Sequence, residues 1–185
     1  IVSDYRYRGV SQTRLKPALQ GGADYTNNPT GFYVGTWLST IKWTKDAGGD
    51  GDVEWDLYAG KRGEIVKDVS YDVGGLYYYY PSNGLHPSAN TFELYGQISY
   101  GPVSLKYSQS TTNLFGFADS RGGAALNQGL SGASSYTDYK LGVTKDFGVV
   151  TVALAAVYAD TKAYVGPDGK NLAKTGAVLS ISKTF

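Results

Sequence analysis

The chain has 185 residues, with 17 basic and 16 acidic side chains and no cysteine. That length fits one domain, the near-neutral charge gives no pull toward nucleic acid, and the missing thiols exclude disulfides, a thiolate nucleophile and cysteine-bound metal. No run of about eighteen apolar residues is present, so no spanning helix is expected. No signal peptide opens the chain either, so an exported protein is read here in its mature form.

Tyrosine and glycine are abundant, at 17 and 25 residues. Tyr favours strands and suits places where one end of a side chain is dry and the other wet. Gly at this level without a collagen period signals turns and close strand packing.

In chain order the pattern reads as ten strands. The first is 2–12, with Tyr5 and Tyr7 opposite Asp4, Arg6, Arg8 and Gln12. The second is 17–25 and the third 32–43, whose two sides both carry large apolar residues. A polar loop, 45–52, is expected to be flexible. Strands at 53–65, 69–80 and 91–100 follow, and in each an apolar set alternates with a polar one. The seventh strand is 103–115, after a turn at Gly101-Pro102. The Gly-rich segment Phe117–Ser134 is the longest connection. The last three strands are 135–147, 149–160 and 175–185, and the chain shown stops on Phe185.

Short and long connections alternate along this series. The second, fourth, sixth and eighth are short, and the third, fifth, seventh and ninth are long and polar. That alternation, on strands long enough to cross a bilayer when tilted, is the layout of an outer-membrane barrel. The expected fold is all-β: an antiparallel up-and-down transmembrane β-barrel of ten strands, or twelve if Phe117–Ser134 holds a further hairpin. Closure would also remove the exposed edges of long strands. The expected location is the bacterial outer membrane. A final strand ending on an aromatic residue fits the membrane's aromatic girdle and is the segment expected to engage the barrel-assembly machinery. Outer-membrane lipids and lipopolysaccharide are the other expected partners.

With the apolar faces outward, the inward set is charged. Arg6, Arg8, Arg62, Lys106 and Lys140 are its cations, and Asp4, Asp24, Glu54, Asp56, Glu64, Asp72, Glu93 and Asp138 its anions. Ten strands enclose a narrow interior. These charges therefore either satisfy one another as a plug or line a thin pore. In the pore reading, Arg6 and Arg8 facing Glu54 and Asp56 form the constriction, with weak ion selectivity. The rival reading is a non-conducting barrel that acts through its outer loops.

Of Tyr77–Tyr80, two residues face outward and two inward. Lys61 and Lys183 face lipid near the periplasmic interface and snorkel. Catalysis is not expected: His86 is the sole imidazole and stands in a loop. Asp46, Asp50 and Asp52 lack the full Ca²⁺-loop pattern, so no metal or other cofactor is expected.

The opening Val2–Thr13, followed by Lys16–Gly22, resembles the start of the TorF porin family of proteobacteria. Gly31-Phe32-Tyr33, Asp56–Gly60, Tyr71–Gly74, Glu93-Leu94-Tyr95, Tyr136–Tyr139 and Ser182–Phe185 extend the resemblance over nearly the whole chain. It implies an outer-membrane β-barrel. The chain departs from the family pattern in starting inside the first strand and in keeping only the Gly-rich segment between the seventh and eighth strands.

Overall fold

A computed structural model of the chain describes residues 1–100, 103–116 and 138–185. Among them the structure is all-β, with eleven strands in three antiparallel sheets. A two-residue pair, β1 (Arg6–Tyr7) and β2 (Val10–Ser11), forms the smallest. Six strands form the largest in chain order: β3 (Gln20–Asn27), β4 (Phe32–Thr40), β5 (Val53–Val66), β6 (Val69–Tyr79), β7 (Thr91–Tyr100) and β8 (Val103–Ser110). The third contains β9 (Asp138–Asp146), β10 (Thr151–Ala159) and β11 (Gly176–Ser182). One helical turn, α1 (Trp43–Asp46), follows β4.

Residues Ile1–Ser3 join the two larger sheets. On one side Ser3 N donates to Leu179 O at 2.8 Å and Ile181 N to Ile1 O at 2.9 Å. On the other, Val2 and Ala18 exchange backbone bonds of 3.0 and 2.9 Å. Pairing is thus continuous from β9 through β11 and Ile1–Ser3 to β3 and on to β8. No pairing joins β8 to β9 among the described residues, and they contain no closed ring.

Three expectations are corrected. The first strand leaves the wall after Ser3, turns at Arg8 and Gly9, both at positive φ, and folds back as β1–β2. A glycine at φ 78° makes that turn where a regular strand was expected. The 45–52 loop is not a free polar segment. Lys42 and Lys45 hold the two oxygens of Asp52 at 2.8 and 2.7 Å, and Arg14 pairs with Asp46. The seventh strand ends at Ser110 and the chain then bends through a 3₁₀ turn at Leu114–Gly116. The Gly101-Pro102 turn, the Phe117–Ser134 segment and Tyr136-Thr137 lie outside the described residues.

Across the larger sheets, buried carboxylates lie on one face and exposed aliphatic side chains on the other. Glu54 and Glu93 are each 3% exposed, whereas Leu141 is 80% and Leu105 69% exposed. The outer face also has order along the strands. Trp55, Tyr77, Tyr79, Tyr139 and Tyr158 lie toward the long connections, with Tyr77 stacked on Tyr79 and Tyr139 on Tyr158. Tyr25, Phe32, Tyr71, Tyr100, Phe147 and Phe185 lie toward the short ones. Leu57, Val73, Leu94, Leu154 and Leu179 fall between.

On the inner face, Tyr33, Gly60, Gly74 and Tyr95 stand side by side across four strands. The two glycines let the rings lie flat until their hydroxyls meet. A Cβ on Gly60 would sit 2.4 Å from the Tyr33 hydroxyl and 2.5 Å from the Val73 carbonyl oxygen. Gly60→Ala is expected to lower stability by about 1–3 kcal/mol, the usual range for overpacking. Gly21→Ala, on the outer face with nothing within 4 Å of its Cβ position, should leave stability unchanged or slightly raised. Urea unfolding of the two refolded variants checks both, and equal losses would contradict the packing account.

Candidate functional site

The segment between Ser3 and Pro17 lies against the inner faces of both larger sheets. Gly9 comes close to the three-stranded sheet: a Cβ there would stand 2.8 Å from the Ala159 Cβ and 3.0 Å from the Asp138 Cβ. Opposite, Tyr5 packs edge-on to Trp37 at 5.3 Å, and Tyr7 meets Tyr78 at 6.2 Å and Phe115 at 5.6 Å. Trp43 of α1 completes the cluster, 5.0 Å from Tyr80. These rings close over the inner face at the end of the long connections.

Hydrogen bonds fix the segment in place. Asp4 and Arg6 form a buried ion pair, with Ser11 Oγ donating to Asp4 Oδ1. Arg6 Nη1 donates to three carbonyls, those of Gly9 at 2.8 Å, Leu172 at 3.3 Å and Lys174 at 3.0 Å. Ser11 N also donates to Leu172 O at 2.9 Å. Below them, Glu54 accepts the hydroxyls of Tyr5 and Tyr80, each at 2.6 Å. Burial and the Glu54 carboxylate together push the Tyr5 phenol well above its ordinary range.

Glu54 shares this level with two more carboxylates. Asp56 and Glu93 are buried beside it, and Tyr78 Oη reaches Glu93 Oε2 at 3.5 Å. Asp56 Oδ1 and Glu93 Oε1 have no hydrogen-bond partner among the described residues. This acidic layer sits directly under the aromatic cover.

A second layer lies toward the short connections. Tyr33 Oη donates to Asp72 and touches the Tyr95 hydroxyl. Arg62 stacks on Tyr33 at 5.0 Å and donates to Thr26 Oγ1 at 2.8 Å. Lys106 stands 4.3 Å over the Tyr95 ring. Tyr58 Oη bonds Asp24 across Gly35 at 2.7 Å. Arg62, Glu64, Lys106 and Lys140 are exposed, unlike the acidic layer, and Asp138 is half-buried.

The expected constriction is corrected. Arg6 is bound to Asp4 and backbone carbonyls, not to Glu54 or Asp56, whereas Arg8 lies over the Tyr7 ring at 5.1 Å and acts electrostatically on Glu93. Tyr5 and Tyr7, expected outward, point inward because their segment leaves the wall. Tyr5, Tyr7, Trp43 and Phe115 are the residues that sequence reasoning missed. The signal for the first two was Gly9 inside an otherwise regular alternation. Two of the three loop carboxylates are held by cations: Asp46 by Arg14, and Asp52 by Lys42 and Lys45, whose hydrogen bonds lower its pKa to about 2. No group of three or more potential metal ligands comes together among the described residues.

Residues 1–131 match the model of a family described as a bacterial protein of unknown function, Gcw_chp. The chain belongs to the Gcw_chp family. No curated protein and no solved structure matches it. The matched span contains the N-terminal segment, the acidic layer and the tyrosine layer, and ends before β9–β11. For this Gcw_chp member, Tyr80→Phe removes one of the two donors to Glu54. A hydrogen bond to a charged group is worth about 1.5–3 kcal/mol, so a loss of that order is expected in urea unfolding. Tyr5→Phe should cost a similar amount. The double variant should depart from additivity, because both hydroxyls serve one carboxylate.

Proposed function

We propose that this chain is an outer-membrane β-barrel whose lumen is stoppered at rest by its own N-terminal segment. The observation that carries the reading is the inverted polarity: carboxylates are buried within, and bare leucines, valines and isoleucines cover the outside. Large exposed apolar surface of this kind calls for apolar surroundings. Two aromatic bands with an aliphatic band between them fit the girdles of a membrane barrel. Tyr71 and Tyr79 on β6 are separated by roughly 26 Å at about 3.3 Å per residue, close to the height of such a band before tilt. The TorF resemblance points the same way. In this reading β8 and β9 close the ring, the short connections face the periplasm, and the Phe185 strand is read by the assembly machinery. No catalytic step belongs to it.

The exposed Arg62, Glu64 and Lys106 favour a second element, a wet vestibule on the short-connection side, while Lys140 stands toward the long connections. If the stopper leaves, a narrow porin-like path opens past Glu54, Asp56 and Glu93. Three carboxylates at one level give this path a preference for cations.

Planar-bilayer recording tests both elements. The unsubstituted protein should insert and stay almost silent. Gly9→Val, whose side chain cannot fit against Ala159 and Asp138, should give reproducible cation-preferring steps. Adding Asp56→Asn and Glu93→Gln should weaken the preference. Equal conductance with and without Gly9→Val would overturn the stopper, and failure to enter any bilayer would overturn the membrane reading.

A further inference from the structure

On the outward face, the described strands β3–β11 carry Lys61 and Lys145, and Lys183 follows the last residue of β11. All are cations, and all lie at the ends joined by short connections. Each ammonium sits over a phenylalanine ring, Lys61 on Phe32 at 5.2 Å, Lys145 on Phe147 at 5.2 Å and Lys183 on Phe185 at 4.9 Å. No outward carboxylate accompanies them on those described strands. Solubility in water would scatter both signs over such a face. A single sign at a single level, repeated on separate strands, matches a plane of opposite charge.

We propose that this lysine–phenylalanine rim binds the phosphates of anionic glycerophospholipids in the leaflet beside the short connections, an inference that rests on the membrane reading above. The geometry suits that ligand. The ring lies at the edge of the hydrocarbon and the ammonium is held over its face, where the cation–π attraction limits its freedom. A lysine stem can lie along apolar surface while its charge reaches the headgroup level. Lysine presents a compact point charge, which suits a phosphodiester with no fixed approach direction. Beside Lys61, an apolar groove of about 590 Å³ bordered by Phe32, Ala59, Val73 and Leu94 gives an acyl chain a place to lie below the ammonium. Lys145 and Lys183 are carried by β9 and just past the end of β11, on either side of β10, so two of the three charges gather on one patch.

The test compares lipid retention. The full chain is refolded into nanodiscs of phosphatidylcholine containing a minority of phosphatidylglycerol, with heat-modifiable gel mobility as the control for folding. Lipids still bound after release are counted by native mass spectrometry. The unsubstituted protein should retain phosphatidylglycerol over phosphatidylcholine. Lys61→Gln/Lys145→Gln/Lys183→Gln should cut that preference roughly fivefold or more, since each lysine near an anionic surface contributes appreciably. Lys162→Gln, on an exposed loop at the opposite end, should not. Should the triple variant misfold, the unsubstituted protein carries the test alone, because raised salt must weaken its preference. A folded protein with no preference for phosphatidylglycerol, or with one that ignores salt, overturns the lipid rim and leaves the barrel standing. A protein that folds in no bilayer overturns both.

Discussion

Docking of the N-terminal segment is the interaction on which the inner face depends. Asp4 and Arg6 form a buried pair, with side chains 7–8% exposed. A pair that dry persists only when its remaining donors and acceptors are satisfied. Ser11 serves Asp4, and the carbonyls of Gly9, Leu172 and Lys174 serve Arg6. Two of those carbonyls lie 166 and 168 residues away. Closing a loop of that length in an unfolded chain is entropically costly. The pair therefore gains its partners when the wall already holds both chain ends together, as the bonds of Ile1–Ser3 to Ile181, Leu179 and Ala18 do.

The wall itself is governed by a different constraint. One face must satisfy carboxylates and tyrosines, and the other carries little that can hydrogen-bond. Glycines at Gly35, Gly60 and Gly74 reconcile the first requirement with ordinary strand spacing. They leave floor over which Tyr58, Tyr33 and Tyr95 reach across neighbouring strands to Asp24, Asp72 and each other. Strand glycines usually weaken a sheet. Here the tyrosine rings return the lost contact, so the high content of both residue types is one design rather than two.

Much of this wall was legible in the sequence. Period-two alternation fixed the faces of β5, β6, β7, β9, β10 and β11, since a one-residue slip would turn every leucine inward. The facing of Glu54, Asp56, Arg62, Asp72, Glu93 and Lys106 followed directly. The third strand was ambiguous for a physical reason. Trp37 faces inward against Tyr5, so an apolar residue on that strand does not mark the outer side. The first strand misled because Asp4, Arg6 and Arg8 alternate with Tyr5 and Tyr7 as they would in a wall. In the stopper both sets find partners on the inside, and alternation carries no facing information. The loop 45–52 looked mobile because its charges were read singly. Its order comes from Lys42 and Lys45 converging on Asp52 and from Arg14, distant in sequence, reaching Asp46.

The acidic layer and the stopper bear on one another through what the stopper does not supply. It brings a tyrosine hydroxyl to Glu54 and aromatic cover to Asp56 and Glu93, while the Arg6 charge is spent on Asp4. Of the segment's cations, Arg8 acts on this layer through Glu93, and buried charge without a close partner is expensive. The tyrosine cover leaves Asp56 Oδ1 and Glu93 Oε1 without hydrogen-bond partners among the described residues. On displacement, water can take over the bonds of Tyr5, and the carboxylates regain solvation. In the proposed channel, closure would rest on the Asp4–Arg6 network and on ring packing, both belonging to the N-terminal segment, while Glu54, Asp56 and Glu93 belong to the wall.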